Sequence, residues 1–378
     1  MAPRKRNSIR VIQFLKYCSR RCLYLRINNT DIQTDKTACG IKVKVKNMKR
    51  TSLVTGGAGF MGAHVVDELL RQGNTDVVAL DDLSGGFRGN LNPAATFIEG
   101  SILDVALINQ LCEQYQFDYV YHLAAYAAEG LSHFIKRFNY QNNLIGSVNL
   151  INAAVNYDVK RFVFTSSIAV YGANQLPMHE GLTPMPEDSY GIAKYAVEQE
   201  LVAAKRLFDL DYTIFRPHNV YGELQNIGDK YRNVVGIFMN KIMQGEPLVI
   251  FGDGEQTRAF THIADVAPHI ASAVDIPQAS CEIFNVGSDK HVSVNELADL
   301  VMTAMEKEVP VKYLREREEV KHAYCSHEKF HKAFRTTSQV TLPDGLRRMA
   351  VWAKSVGART SKLFDDIEIR KNLPEGWK

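Results

Sequence analysis

Thr55-Gly56-Gly57-Ala58-Gly59-Phe60-Met61-Gly62 lies between a short β-branched run at 53–55 and an amphipathic run at 63–71 that Gly73 closes. A strand, a Gly-x-x-Gly-x-x-Gly turn and a helix in that order aim the free amides and positive end of the helix at whatever sits above the strand. Each glycine has a separate reason: Gly56 for the turn, Gly59 for close approach of a phosphate, Gly62 for helix against strand. A second strand-like run at 77–80 ends at Asp81-Asp82, with Asp81 placed 19 residues after Gly62. A carboxylate there holds the hydroxyls of an adenosine ribose, and two of them disfavour a 2′-phosphate, so the expected dinucleotide is NAD.

The pattern continues outward from this turn. Strand-like runs at 97–99, 119–122, 161–165 and 212–215 alternate with helical stretches at 105–115, 140–156 and 190–208. Strands separated by helices imply a parallel sheet covered on both faces. The expected fold is therefore α/β, a Rossmann-type doubly wound parallel sheet with a smaller C-terminal substrate-binding lobe. After Arg216-Pro217 the periodicity weakens and Gly245-Glu246-Pro247 and Gly252-Asp253-Gly254 punctuate the chain. The boundaries read as a basic extension over 1–47, disordered or outside the fold; a dinucleotide domain over 48–217; and a mainly substrate-binding lobe over 218–378.

Composition sets limits on this reading. The 378 residues are 46% hydrophobic and 23% charged, enough for a large core and unlike a disordered or fibrous chain. Residues 1–47 hold twelve Lys/Arg against Asp31 and Asp35, a balance of +10, so with a net charge of +3 the remainder carries −7. A nucleic-acid partner is thus not expected for the body. The basic segment suits an organelle transit peptide, a flexible tail or a translated stretch upstream of Met48. Cys18, Cys22 and Cys39 lie in it, while Cys112, Cys281 and Cys325 are far apart without CxxC spacing. That pattern favours a reducing, cytoplasmic setting with neither zinc site nor disulfide framework. No apolar run reaches bilayer length, since the stretch at 11–15 stops at Lys16.

Tyr190-Gly191-Ile192-Ala193-Lys194 is the one Tyr-x-x-x-Lys of the chain, on a helical run where i and i+4 share a face. Ser167 precedes Tyr190 by 23 residues, just past the C-terminal end of a strand, where open α/β sheets place their sites. A tyrosine is a poor base at neutral pH, and an adjacent ammonium together with a nicotinium cation favours its phenolate. Ser167 can then share the proton of a substrate hydroxyl, which describes proton removal from an alcohol coupled to hydride loss.

These residues resemble the extended short-chain dehydrogenase/reductases, specifically the nucleotide-sugar epimerases similar to UDP-galactose (UDP-glucose) 4-epimerase. The resemblance runs from about Met48 to Lys332. Its marks are the glycine turn, Asp81-Asp82, His122-Leu123-Ala124-Ala125, Asn142-Asn143, Thr165-Ser166-Ser167-Ile168-Ala169-Val170-Tyr171-Gly172, Tyr190 with Lys194, Arg216-Pro217-His218-Asn219-Val220-Tyr221-Gly222 and Arg258-Ala259-Phe260-Thr261-His262. It implies tightly held NAD, Tyr190 as base, Lys194 bridging to the nicotinamide ribose and Ser167 on the reacting hydroxyl. Cofactor contacts would also come from Gly56, Gly59, Phe60, Met61, Gly62, Asp81, Asp82, Ser101, Ile102, Leu123, Ala124, Ala125 and Asn142. Asn219, Asn233, Arg258 and Arg317 would hold the nucleotide diphosphate of a UDP-sugar, with Ala323 beside the sugar's 2-substituent. A small residue there leaves room for an N-acetylated sugar. The family and the apolar runs at 144–155 and 196–208 further imply a homodimer.

Several positions depart from the family pattern. Gly100-Ser101 stands where Gly-Asp is usual, Ala259 follows Arg258 in place of Asp, and Arg315 and Arg317 straddle the expected second arginine. Ile168 and Ala169 occupy the positions where related dehydratases and decarboxylases carry acidic groups, which favours epimerisation over elimination. The other readings are another NAD-dependent nucleotide-sugar enzyme, a UDP-glucuronate epimerase, dehydratase or reductase, and a non-catalytic NAD-binding module. His122, His262 and Asp265 read as scaffold and not as metal ligands, Trp352 and Trp377 as local packing, and Glu129 as either a surface or a pocket residue.

Overall fold

The computed structural model of the chain describes the backbone of residues 24–27, 30–37 and 40–47, then residues 49–316, 320–336, 340–361 and 364–377. The chain divides into two compact units, 1–49 and 50–378.

In the first unit, strands Tyr24–Ile27, Thr30–Thr37 and Gly40–Asn47 form an antiparallel meander of their own. The sequence reading of 1–47 is a segment disordered or outside the fold; the described residues form strands, in a unit separate from 50–378. The cause is legible: Ile41, Val43 and Val45 alternate with lysines at period two, and the register sets Asp35 opposite Lys42 and Asp31 opposite Lys46.

The second unit is built on seven parallel strands among the described residues: β1 (Arg50–Thr55), β2 (Thr75–Asp81), β3 (Thr96–Glu99), β4 (Tyr119–His122), β5 (Arg161–Thr165), β6 (Tyr212–Pro217) and β7 (Glu282–Val286). Their spatial order is β3-β2-β1-β4-β5-β6-β7, so the chain reverses direction across the sheet between β1 and β4. That reversal is the switch point where a ligand crevice opens at the C-terminal ends of such strands. Central strands are hydrophobic on both faces, and β5 and β6 are buried along their whole length.

Helices α1 (Phe60–Gln72), α2 (Val105–Tyr115), α3 (Gly146–Asn156) and α4 (Ser189–Phe208) cover the sheet. One face packs Ile108, Leu111, Leu150, Val197 and Leu201 against Leu53, Val120 and Phe162. The other packs Val65, Val66 and Leu69 against Val54, Ala79 and Tyr121. A third core lies in the lobe, where α5 (Val234–Gln244), α6 (Val294–Met305) and α7 (Leu342–Val356) enclose Phe238, Val301 and Met349.

Two features differ from the sequence expectations. The lobe is not one continuous piece after residue 217, because β7 returns from it to pair with β6. The helix expected over 140–156 is interrupted by a π-helical segment at Gln141–Ile145 before α3 begins.

Candidate functional site

The glycine turn leaves β1 and enters α1 beside the switch point. Gly56 adopts φ 70°, and a Cβ on it would lie 2.7 Å from Ala124 N. A Cβ on Gly62 would lie 1.9 Å from Gly56 O, so this turn admits no side chain there. Gly59 is the N-cap of α1 and supplies no side-chain cap, so the first-turn amides stay available to an anion. Asp81, at the end of β2, accepts hydrogen bonds from Ala58 N at 3.0 Å and Leu83 N at 2.8 Å. Burial pushes its carboxyl above the ordinary aspartate value. A backbone cradle for a pyrophosphate with a carboxylate at the neighbouring strand end fits a dinucleotide with free ribose hydroxyls.

From this turn a cavity of about 1870 Å³ runs along the strand ends into the lobe. It is lined by Gly56, Gly59, Phe60, Met61, Gly62, Asp81, Asp82, Ile102, Leu123, Ala124, Ala125 and Asn142, then Ser167, Tyr190 and Lys194, and finally Asn219, Asn233 and Arg258. Residues scattered over two hundred positions in sequence thus share one space. Ala323 lines a smaller adjoining cavity with Ser167, Asn219 and Arg258.

Tyr190, Ser167 and Lys194 meet at the floor. Asp188 caps α4 by accepting from Tyr190 N and Gly191 N, both at 2.9 Å, which fixes the first turn that carries Tyr190. Ser167 follows β5, accepts from Ala169 N at 3.1 Å and lines the same cavity as the Tyr190 side chain. One turn along α4, the Lys194 ammonium donates to Thr165 O at 2.8 Å and lies 4.7 Å from the centre of the Phe164 ring and 5.7 Å from that of Tyr190. Burial pushes Lys194 down to about 7, with Glu198 opposing. Burial, followed by the Glu129 carboxylate, raises Tyr190 well above its usual value, with the Ser167 hydroxyl opposing. The chain alone therefore holds Tyr190 as a phenol at neutral pH.

The remaining expectations divide. Ser101 does not line the cavity although Gly100 and Ile102 do, because its hydroxyl accepts from Leu103 N at 3.2 Å within the turn before α2. Arg317 lies outside the described residues; Arg315 lines the cavity. Glu129 is exposed and also lines both cavities, so its surface and pocket readings hold together. His122 bridges Thr55 Oγ1 and Ser147 Oγ, each at 2.7 Å, and His262 accepts from Ala264 N, so both serve the scaffold. Trp377 corrects the expectation of local packing: it stacks edge-on with Phe134 and Tyr231 and lines the cavity.

Sequence reading missed Arg232, which lines the cavity beside Asn233, pairs with Asp229 at 2.6 Å and lies 4.5 Å from the Tyr126 ring centre. The cluster Lys230-Tyr231-Arg232-Asn233 was the available signal. It also missed why two asparagines stand together. The wider π turn lets Asn142 line the cavity, while Asn143 is buried and bonds both Tyr126 N and Tyr126 O.

Residues 52–287 match the model of the NAD dependent epimerase/dehydratase family. A putative UDP-glucose 4-epimerase of Methanocaldococcus jannaschii is 35% identical over 309 residues, 80% of this chain and 98% of that protein. A crystal structure of UDP-glucose 4-epimerase from Thermotoga maritima with UDP-glucose superposes with a TM-score of 0.77 at 34% identity, over 81% of this chain and 99% of that one. A UDP-N-acetylglucosamine 4-epimerase from Methanobrevibacter ruminantium, in complex with UDP-N-acetylmuramic acid, gives 0.76 at 31%, over 82% and 99%.

Proposed function

Because this chain belongs to the NAD-dependent epimerase/dehydratase family, with its glycine turn, Asp81 and Tyr190/Lys194 in one cavity, we propose that it inverts C4 of a UDP-hexose through a 4-keto sugar. The enzyme is an NAD-dependent member of the nucleotide-sugar epimerases. The observation that carries the finer reading is the convergence of Tyr190, Ser167 and Lys194 between the dinucleotide cradle and the Asn219, Asn233 and Arg258 end of the same cavity.

NAD, when bound, supplies a reversible hydride acceptor and a positive charge beside Tyr190. Tyr190 takes the proton of the 4-hydroxyl and later returns it, and Ser167 holds that hydroxyl in line. Lys194, anchored on Thr165 O, orients the nicotinamide ribose and stabilises the phenolate. Asn219, Asn233 and Arg258, joined by Arg232 and Arg315, hold the diphosphate while the sugar turns over. With Ile168 and Ala169 after Ser167, that strand end offers no carboxylate for elimination.

Ala323, small and facing the side cavity, supports acceptance of N-acetylated sugars beside the plain hexoses. Ile192, Val202, Leu207 and Phe208 are exposed along α4, and Ile145 just before α3, which supports a homodimer through these helices. The separated cysteines fit a cytoplasmic setting; among the described residues no helix is long and apolar enough to cross a membrane.

The test is incubation of purified protein, without added reductant, with UDP-glucose, UDP-galactose and their N-acetylated and uronic counterparts, following C4 stereochemistry by NMR. C4 inversion of a hexose is expected. A stoichiometric demand for NADH, or turnover of the uronate alone, refutes the reading. Light scattering at micromolar concentration checks the dimer.

A further inference from the structure

The smaller cavity that carries Ser167, Asn219, Arg258 and Ala323 is also lined by His218, which has no part in the chemistry above. His218 and His327 are both buried, with rings 19° from parallel and Nε2 facing Nε2 at 2.9 Å. Their other nitrogens also have fixed partners: His218 Nδ1 lies 3.2 Å from Ala259 O, and His327 Nδ1 lies 2.6 Å from Asp289 Oδ1. Gly287 makes room for this arrangement, since a Cβ on it would lie 1.9 Å from His218 Nε2.

Counting protons decides the state of the pair. A carbonyl and a carboxylate only accept, so each Nδ1 carries a hydrogen. With no hydrogen on either Nε2 both rings are neutral, and bare lone pairs face each other across 2.9 Å. One further proton turns that repulsion into a hydrogen bond, and Asp289, largely exposed, balances its charge. The chain of contacts ends on the substrate wall. Ala259 O also accepts from Asn219 Nδ2 at 3.0 Å, and Ala259 is bonded to Arg258 in the strand Thr257–Ala259.

We propose that at mildly acidic pH His218, His327 and Asp289 hold one shared proton, and through it position the Asn219 and Arg258 wall of the substrate cavity more firmly than at neutral pH. The inference rests on the UDP-sugar reading of that cavity. His218 and His327 act as positioning residues, touching the wall through Ala259 and not the reacting atoms.

The groups facing the pair are Asp289 and Glu180, which favour the added proton, and His331, which opposes it. Burial and the neighbouring ring push His218 down to about 3, so a second proton is excluded at neutral pH. Burial lowers His327 despite Asp289, so the shared proton leaves below the ordinary histidine range. Affinity for a UDP-sugar is then greatest below that transition and falls as pH rises through it, because the facing lone pairs separate and the wall loosens.

The test uses UDP-glucose, whose diphosphate diester does not titrate here, bound calorimetrically to the Tyr190→Phe protein so that turnover is suppressed. Between about pH 5 and 7.5 the Kd should rise by up to about 10-fold, with a slope below one decade per pH unit as one proton requires. His327→Gln should flatten that dependence. Asp289→Asn, at an exposed carboxylate that spares the core, should displace it to lower pH. In the free protein at acidic pH, NMR should show a strongly downfield imidazole N–H that His327→Gln removes. A pH dependence unchanged in both variants, or two histidines without the shared proton, overturns the proposal. If the protein binds no UDP-glucose at any pH, the substrate reading and the positioning role fall together, and the imidazole spectrum alone decides whether the shared proton exists.

Discussion

Glu198→Gln tests the buried support behind Lys194. Glu198 is fully buried and Arg216 is 2% exposed; Arg216 Nε and Nη2 lie 2.9 and 2.5 Å from the two carboxylate oxygens, and Ser166 Oγ donates to Oε1 at 2.5 Å. The substitution keeps the side chain's shape and removes its charge. Arg216 is then left 4.7 Å from the Tyr171 ring centre with no counter-charge in that pair, and a guanidinium cannot shed its proton. Breaking one side of a buried ion pair costs about 3–5 kcal/mol. With an unfolding entropy of about 2.1 cal/mol/K per residue, a unit of this size loses roughly 4–7 °C in Tm. Scanning calorimetry of the variant measures this directly. The double variant Glu198→Gln/Arg216→Met should recover at least half of the loss, because an apolar replacement removes the stranded charge. A single-variant loss below about 2 °C, or a double variant as unstable as the two singles added together, would refute the reasoning.

Tyr190→Phe should retain NAD while turnover falls by about two to four decades, and near-normal turnover would sink Tyr190 as the base. Lys194 titrates at about 7 when folded, below its unfolded value of about 10.4, so its burial cost is full below 7 and relieved as pH rises toward 10.4. Lys194→Met should therefore raise Tm near pH 6, much less near pH 10, and lower turnover throughout; equal Tm changes at both pH values would contradict the depressed value. The Glu129 carboxylate raises Tyr190, so Glu129→Gln should move the acid limb of the kcat profile to lower pH. An unmoved limb would mean that Glu129 does not act on the base.

What the sequence made legible obeys local rules. The glycine turn, Asp81 at its strand end and the i, i+4 pair of Tyr190 and Lys194 each follow from geometry within one βα unit, and all line the cavity as expected. Long-range pairing was not legible. β7 lies 65 residues beyond β6, and nothing in Glu282–Val286 states which edge it joins. Trp377 reaches the cavity through tertiary packing, from a position with no motif around it, and Arg232 was marked only by its place next to Asn233. Ser101 shows the converse, a position supplied by family pattern whose hydroxyl is used within its own turn. The strands at 24–27, 30–37 and 40–47 were not read for another reason: strong net charge obscured the period-two alternation beneath it.

The return of β7 to the sheet bears on synthesis. A ribosome that has released only the first 217 residues has released a sheet ending on Tyr212–Pro217, an apolar strand that is buried throughout its length in the finished molecule. Its open side is a template for pairing with other chains until Glu282–Val286 emerges and covers it. The intervening residues, most of the lobe's substrate wall among them, must be made before the nucleotide half is sealed. Cutting the gene at the apparent boundary would therefore yield an aggregating fragment and not a free-standing dinucleotide module.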